Sequence, residues 1–411
     1  MNSRDRVLAA LAHEQPDQVP ISFGDHRSGG ITALAYVRLR DYLGLPQKPV
    51  RVYDFMQMLA VVDEDVLQFF GTDSVALDRA FAEQDGIWHE WELSDGTPCL
   101  IPAWIQPERK GDGWLLRDLS GRPIARNPAG APYFDHIYFP LADARLPKDK
   151  AALADLLAAS MEGGFSAPGP GVTAAQTVAG DVEIARRLRA RSERAIIGVF
   201  GGSLLELGNH LFRHDNFYMM LASEPEKVHA VLRCLTDHHL QELEQFLRHF
   251  GPYIDMILFG DDLGMQRGPL LSPRMYRELF KPYHQEMWQR AKELAQVKVL
   301  LHSCGSIRAY LPDLIEAGVD AINPVQISAQ GMDATALKRD FGDRITFWGG
   351  GCDTQQVLPF GTPDEIRQHV RQQVEILAPD GGFVFSQVHN IQDDVPPENI
   401  VAMVEAVHAC R

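Results

Sequence analysis

Val297-Lys298-Val299-Leu300-Leu301-His302-Ser303-Cys304-Gly305-Ser306 runs from a short apolar stretch straight into a polar, glycine-containing turn. The apolar part reads as a buried strand. Residues two apart on a strand point the same way, so His302 and Cys304 face one side together. Imidazole with thiolate is ligand chemistry for zinc. An isolated His-x-Cys is more often a hydrogen-bonded core histidine beside a small buried thiol, so the neighbouring sequence has to decide.

Seven further apolar runs of similar length are spaced along the chain: Val19 to Phe23, Ser74 to Leu77, Ala195 to Phe200, Met256 to Phe259, Ala321 to Val325, Ile345 to Trp348 and Phe383 to Val388. Helical patterns lie around them at Arg4 to His13, Tyr36 to Leu43, Phe55 to Phe70, Pro273 to Leu294 and Thr362 to Leu377, the last two opening on a proline beside the caps Ser272 and Thr362. Eight strands alternating with helices predict an α/β chain folded as a (β/α)8 TIM barrel, a single domain over 1–411. Between 88 and 140, short alternating stretches joined by Asp-Gly and Ser-Gly turns predict a β-hairpin insertion after the second strand. Gly163 to Gly171 reads as a Gly/Pro-rich loop.

In such a barrel the strand-to-helix turns converge on one mouth, where chemistry gathers. The first run delivers Asp25, His26 and Arg27, the second Asp78, the third Gly201-Gly202 and Glu206, and the fourth Asp261, Asp262 and Gln266. The fifth delivers His302 and Cys304, the sixth Asn323 and Gln326, the seventh Cys352 and Asp353, and the eighth His389 and Asn390. A third metal ligand comes from His389 or Cys352, whose alternatives are a substrate-contacting histidine and a small residue in a glycine turn. Asp261 and Asp262 are adjacent, so one of them faces the mouth, as a proton carrier or as the anchor of a cation; a capping role is the other option. Glu206, near a helix start, is a proton donor, a fourth metal ligand or simply a carboxylate favoured by the helix dipole. Arg27 is the anchor for an oxyanion. His26, Arg27, Gln266, Asn323 and Gln326 are the expected substrate contacts, and Asp261, Asp262, Glu206 and Arg27 the expected catalytic groups. Gly349 to Gly351 lacks the Gly-Lys-Ser/Thr of a phosphate loop.

Composition narrows the partners. With 39 basic and 55 acidic side chains among 411 residues, the formal charge is −16, which repels nucleic acid and anionic membranes. No stretch approaches a membrane span, and the start shows no signal-peptide pattern, so a cytoplasmic protein is expected. Five scattered cysteines (Cys99, Cys234, Cys304, Cys352 and Cys410) do not make a disulfide framework.

Several motifs together resemble the uroporphyrinogen decarboxylase superfamily, which contains the decarboxylase and the zinc-dependent corrinoid methyltransferases. They are R-V-L-A-A-L-A-H-E-Q-P-D-Q-V-P from Arg6, G-D-D-L-G from Gly260, G-G-G-C-D-T-Q-Q-V-L-P-F-G-T-P-D-E-I from Gly349 and H-N-I-Q-D-D-V-P-P-E-N-I from His389. The family fold is a (β/α)8 barrel. His302 and Cys304 match the His-x-Cys of the methyltransferase branch, in which zinc activates an acceptor toward a methyl group on a corrinoid. The decarboxylase branch carries two arginines in an R-Q-x-x-G-R frame, where this chain has D-H-R-S-G-G with Arg27 alone. At 389 this chain has the histidine of the decarboxylases, where many methyltransferases place a zinc-binding cysteine. The resemblance implies a zinc-dependent methyltransferase acting on a small molecule, with the corrinoid (cobalamin) carried by a separate protein. A cofactor-free decarboxylase or lyase of a small acid is the alternative, a non-catalytic binding protein is a third option, and a homodimer is left open.

Overall fold

The computed structural model describes residues 1–118, 120–161, 167–172 and 176–410. Residues 163–166 of the Gly/Pro-rich loop lie outside them.

Seven of the eight apolar runs form one parallel sheet. Its order is Phe383–Val384, Thr346–Trp348, Ala321–Asn323, Lys298–His302, Met256–Gly260, Ala195–Gly201 and Ser74–Ala76. Near-continuous apolar sequence suits strands covered on both faces, and alternate residues divide between two cores. Ala195, Ile197, Met256, Leu258, Leu300, Ala321, Trp348 and Val384 face inward together, while Ile196, Ile257, Val299, Leu301 and Phe347 pack outward beneath the helices. Each fully buried Ile, Leu or Val contributes about 1.5–3 kcal/mol. The run Val19 to Phe23 forms no ladder: Ile21 makes a single bridge to Phe385, just beyond one outermost strand, and a hydrogen bond to Asp73, just before the other. Ser22 N–H donates to Phe385 O, Phe385 N–H to Pro20 O, and Asp73 N–H to Ile21 O, so this segment touches both edges of the curled sheet.

The inward core is capped at one end. Val7, Ala10 and Leu11 of helix Ser3–Leu11 belong to it, and the helix bonds to residues just before the strands: Arg4 N–H to Glu193 O, and Gly382 N–H to Ala10 O. The strand C-termini are therefore the open end.

Proline and turn chemistry account for the departures from the expected helices. Helix Pro273–Leu279 stops and Lys281–Leu294 begins afresh with Pro282 in its first turn, where the missing N–H is harmless; in a continuous helix it would break a bond. Phe55 to Phe70 is helical only over Glu64–Phe70, the earlier part being turn and the strand Leu59–Ala60. Pro363–Leu377 starts with a full capping box, Thr362 with Glu365.

The described residues between 88 and 136 contain antiparallel strands, as the turns predict. Trp88–Glu92 pairs with Pro98–Pro102 across Asp95-Gly96, and Glu108–Lys110, Gly113–Arg117, Pro123–Asn127 and Asp135–His136 form a second sheet. They are not a self-contained hairpin unit, because Pro98–Pro102 also pairs in parallel with Val50–Asp54.

Candidate metal centre

Strand register builds the centre. His302 continues the inward parity of Leu300 and stands level with Gly260 on one neighbouring strand and Asn323 on the other. Asn323, fully buried, has its Nδ2 donating to Trp348 O at 3.0 Å, which turns its Oδ1 toward His302 Nδ1 at 2.8 Å. His302 Nδ1 is therefore the protonated nitrogen, and Nε2 holds the free lone pair. That atom lies 3.4 Å from Cys304 Sγ, 3.4 Å from Ser28 Oγ and 3.5 Å from Asp262 Oδ1. His389 arrives from the far edge of the sheet with its ring 5.6 Å from that of His302, on a left-handed backbone (φ 67°). The ligand atoms of His302, Cys304 and His389 all lie within 4.8 Å of one another, the one such group of three among the described residues.

The electrostatics suit a cation. Burial, then the neighbouring His302, pushes the His389 imidazole down to about 3, so it is neutral with a lone pair to offer. Burial and the Asp262 carboxylate push the Cys304 thiol well up, so with no cation the sulfur keeps its proton. Burial, then Asp262 and Asp261, raises Glu206 to about 8. On binding a cation Cys304 would release its proton, its thiolate and the nearby Asp262 carboxylate offsetting the divalent charge while two imidazoles supply lone pairs, and three protein ligands with a position left open is the pattern of catalytic zinc sites. The residues present fit zinc.

The other expected site residues take varied places. Asp262 is the partly exposed member of the acid pair, and its Oδ1 accepts Cys304 N–H at 2.8 Å. Asp261 turns away from the mouth: its oxygens accept the N–H groups of Leu204, Leu205 and Glu206 and contact His284 Nε2 at 3.0 Å, closing the start of helix Leu205–Phe212. Glu206 is held reciprocally, its carboxyl accepting Asp262 N–H. Gln326 accepts Gly305 N–H and donates to Gln266, which in turn donates to Ser328 O, so both amides brace the turn after Cys304. Asn323 likewise braces a ligand. Cys352 does not join the metal group. Its backbone bridges Gln387, its side chain lies fully buried in the outward core, and burial pushes its thiol well up.

Beside this centre lies a cavity of about 40 Å³ lined by His26, Arg27, Tyr53, Asp78, Pro168 and Val199 among others. Arg27 Nε pairs with Asp54 at 3.1 Å, and Asp54 is the main reason its guanidinium holds its proton more firmly than usual. Burial raises the Asp78 carboxyl to about 7, with Arg27 opposing. His26 accepts Ser28 N–H on Nδ1, leaving Nε2 as a buried N–H 3.6 Å from Asp25 and without a hydrogen-bond partner. Ser28, Tyr53 and His284 escaped the sequence reading. Ser28 is next to Arg27 and was within reach of it, whereas nothing local marks Tyr53 or His284.

Known proteins agree with this architecture. The model of the family "Uroporphyrinogen decarboxylase (URO-D)" matches residues 169–410. A uroporphyrinogen decarboxylase of Psychromonas ingrahamii is 28% identical over 46% of this chain and 50% of its own length. For that of Thioalkalivibrio sulfidiphilus the figures are 30%, 34% and 39%, and for that of Pseudoalteromonas translucida 28%, 54% and 61%. The chain thus spans about half the length of the curated relatives it matches. Among solved structures, a methyltransferase from Methanosarcina mazei superposes with a TM-score of 0.56 at 18% identity, covering 100% of this chain and 99% of that one, a likeness of fold. No helix among the described residues is long and apolar enough to cross a membrane. A family match over more than half the chain, on a curled parallel sheet whose strand ends carry His302, Cys304 and His389, has one conclusion: the chain belongs to the uroporphyrinogen decarboxylase family.

Proposed function

We propose that this protein is a cytoplasmic zinc-dependent methyltransferase that moves a methyl group between a corrinoid protein and a small molecule, using a (β/α)8 barrel mouth as its active site. The grouping of His302, Cys304 and His389 within 4.8 Å carries this proposal. Zinc held by them would supply Lewis-acid stabilisation of a thiolate or alkoxide at neutral pH. The chain's own residues prepare that place. Asn323 presents His302 Nε2, Asp262 fixes the backbone of Cys304, and Gln326 and Gln266 stiffen the turn behind it. Glu206, raised to about 8, holds a proton at neutral pH that it can give to a leaving group. Arg27 and Asp78 orient the rest of a small substrate in the adjoining cavity.

Elemental analysis of protein purified without added metal tests the site. About one zinc per chain in the wild type, lost in a His302→Ala, Cys304→Ala double variant, is the expected result. Activity is tested separately by following methylcobalamin absorbance with candidate acceptors, and no enzyme-dependent change across thiols and alcohols overturns methyl transfer. A second proposal, decarboxylation of a small acid, draws on the names of the curated relatives and on the Arg27–Asp78 cavity. It requires turnover that survives chelators.

A further inference from the structure

His389 occupies a left-handed backbone conformation (φ 67°), which a residue with a Cβ adopts only where its neighbours impose it. Those neighbours are fixed on both sides. Val388 N–H donates to Cys352 O at 2.8 Å, and Ile391 N–H donates to Gly30 O at 3.0 Å. Between them Asn390, 1% exposed, makes two side-chain bonds: Oδ1 accepts Gly30 N–H at 2.9 Å, and Nδ2 donates to Gln57 Oε1 at 3.1 Å. Thr32 N–H donates to Ile391 O, extending the clasp. The segment that receives these bonds also carries His26 and Ser28, the latter 3.4 Å from His302 Nε2.

We propose that Asn390 is a positioning residue for the metal centre, clasping the Gly30 turn and Gln57 so that the strained backbone of His389 aims its imidazole at His302 and Cys304. This rests on the zinc proposal above. In this arrangement two ligands come from one strand end and are preset by register, whereas the third depends on a contact between residues 30 and 390, more than three hundred positions apart.

Cobalt(II) bound to the metal-free full-length chain gives a direct readout, because its visible bands report the number and type of ligands whatever the protein's activity. Wild type is expected to show thiolate charge transfer and the intense bands of four-coordinate cobalt. Asn390→Ala is expected to bind cobalt more weakly, by up to the roughly 10–100-fold that loss of a partner bonded directly to a ligand costs, and to shift its bands toward those of His389→Ala. Asn390→Asp, which keeps the acceptor for Gly30 N–H and can accept from Gln57 once that amide turns over, is expected to restore the wild-type bands. If Asn390→Ala fails to fold, Gln57→Ala loosens the same clasp from a partly exposed position and is expected to weaken binding several-fold. Wild type without bound cobalt or zinc overturns the zinc proposal itself. Wild type that binds, with Asn390→Ala or Gln57→Ala matching its affinity and spectrum, overturns the positioning role alone, as does a lowered melting temperature without spectral change.

Discussion

Replacing Asn323 by leucine tests the link between strand register and metal binding. The substitution keeps the volume roughly constant but removes both side-chain bonds, leaving His302 Nδ1–H and the Trp348 carbonyl without partners in a fully buried place. Each such group costs about 1–3 kcal/mol, so Asn323→Leu is expected to lose roughly 2–6 kcal/mol of stability, less whatever relaxation recovers. The more specific effect is on His302. With no acceptor at Nδ1 its proton is free to move to Nε2, the atom facing Cys304, and its ring is free to turn. Losing such an orienting partner weakens metal binding by about 10–100-fold, or about 1.4–2.7 kcal/mol. Competition against a chromophoric zinc chelator measures the affinity, urea unfolding measures the stability, and ¹⁵N NMR of the imidazoles reads the tautomer. Asn323→Asp retains an acceptor toward Nδ1 and is expected to keep His302 in its native tautomer. If Asn323→Leu folds, binds zinc as tightly as wild type and shows an unchanged His302 tautomer, the account of how this histidine is presented is wrong.

Other substitutions separate ligands from framework. Cys352→Ala is expected to keep full zinc stoichiometry by elemental analysis while losing some stability, because its thiol lies in the outward core and not in the metal group. Asp261→Asn is expected to cost about 3 kcal/mol in denaturant unfolding, since a buried carboxylate receiving three N–H groups and His284 loses its charge. Gly208→Ala places a Cβ 2.1 Å from the Phe217 ring, an overpacking expected to cost about 1–3 kcal/mol and to lower the melting temperature by a few degrees. Asp78, raised to about 7 by burial, binds a proton in the folded chain over a range where the unfolded chain has released it. Its contribution to stability therefore declines as pH rises from about 4 to about 7. Asp78→Asn is expected to flatten that part of the stability–pH curve, and a slope unchanged from wild type contradicts the assignment.

Much of the sheet was legible because a buried parallel strand is written as a continuous apolar run, and period-two alternation placed His302 and Cys304 on one side without any knowledge of their neighbours. His389 was legible as a ligand candidate for the same reason. What stayed hidden depends on pairing between distant segments. The turn of Asn323 toward His302 follows from register across two strands. Asp261 and Asp262 could be told to point apart, but not which of them would cap helix Leu205–Phe212. The left-handed backbone at His389 carries no glycine to announce it. Apolar spacing over Phe55 to Phe70 suggested more helix than forms, because the pairing of Leu59–Ala60 with Val50–Asp54 competes for the same residues. The proline at 282 was visible throughout and divides the helix where general rules say it should.

Helix Ser3–Leu11 covers one end of the inward core, so among the described residues the candidate metal group is approached from the strand C-termini. A small substrate and a bulky methyl-carrying protein would then compete for the same threshold. Under the methyl transfer proposed above, the small one would have to enter before the large one docks and leave after it departs, a compulsory order of addition and release. In steady-state kinetics such order appears as product inhibition that distinguishes the first substrate from the second, a signature written by the shape of the vessel and not by any residue at its centre.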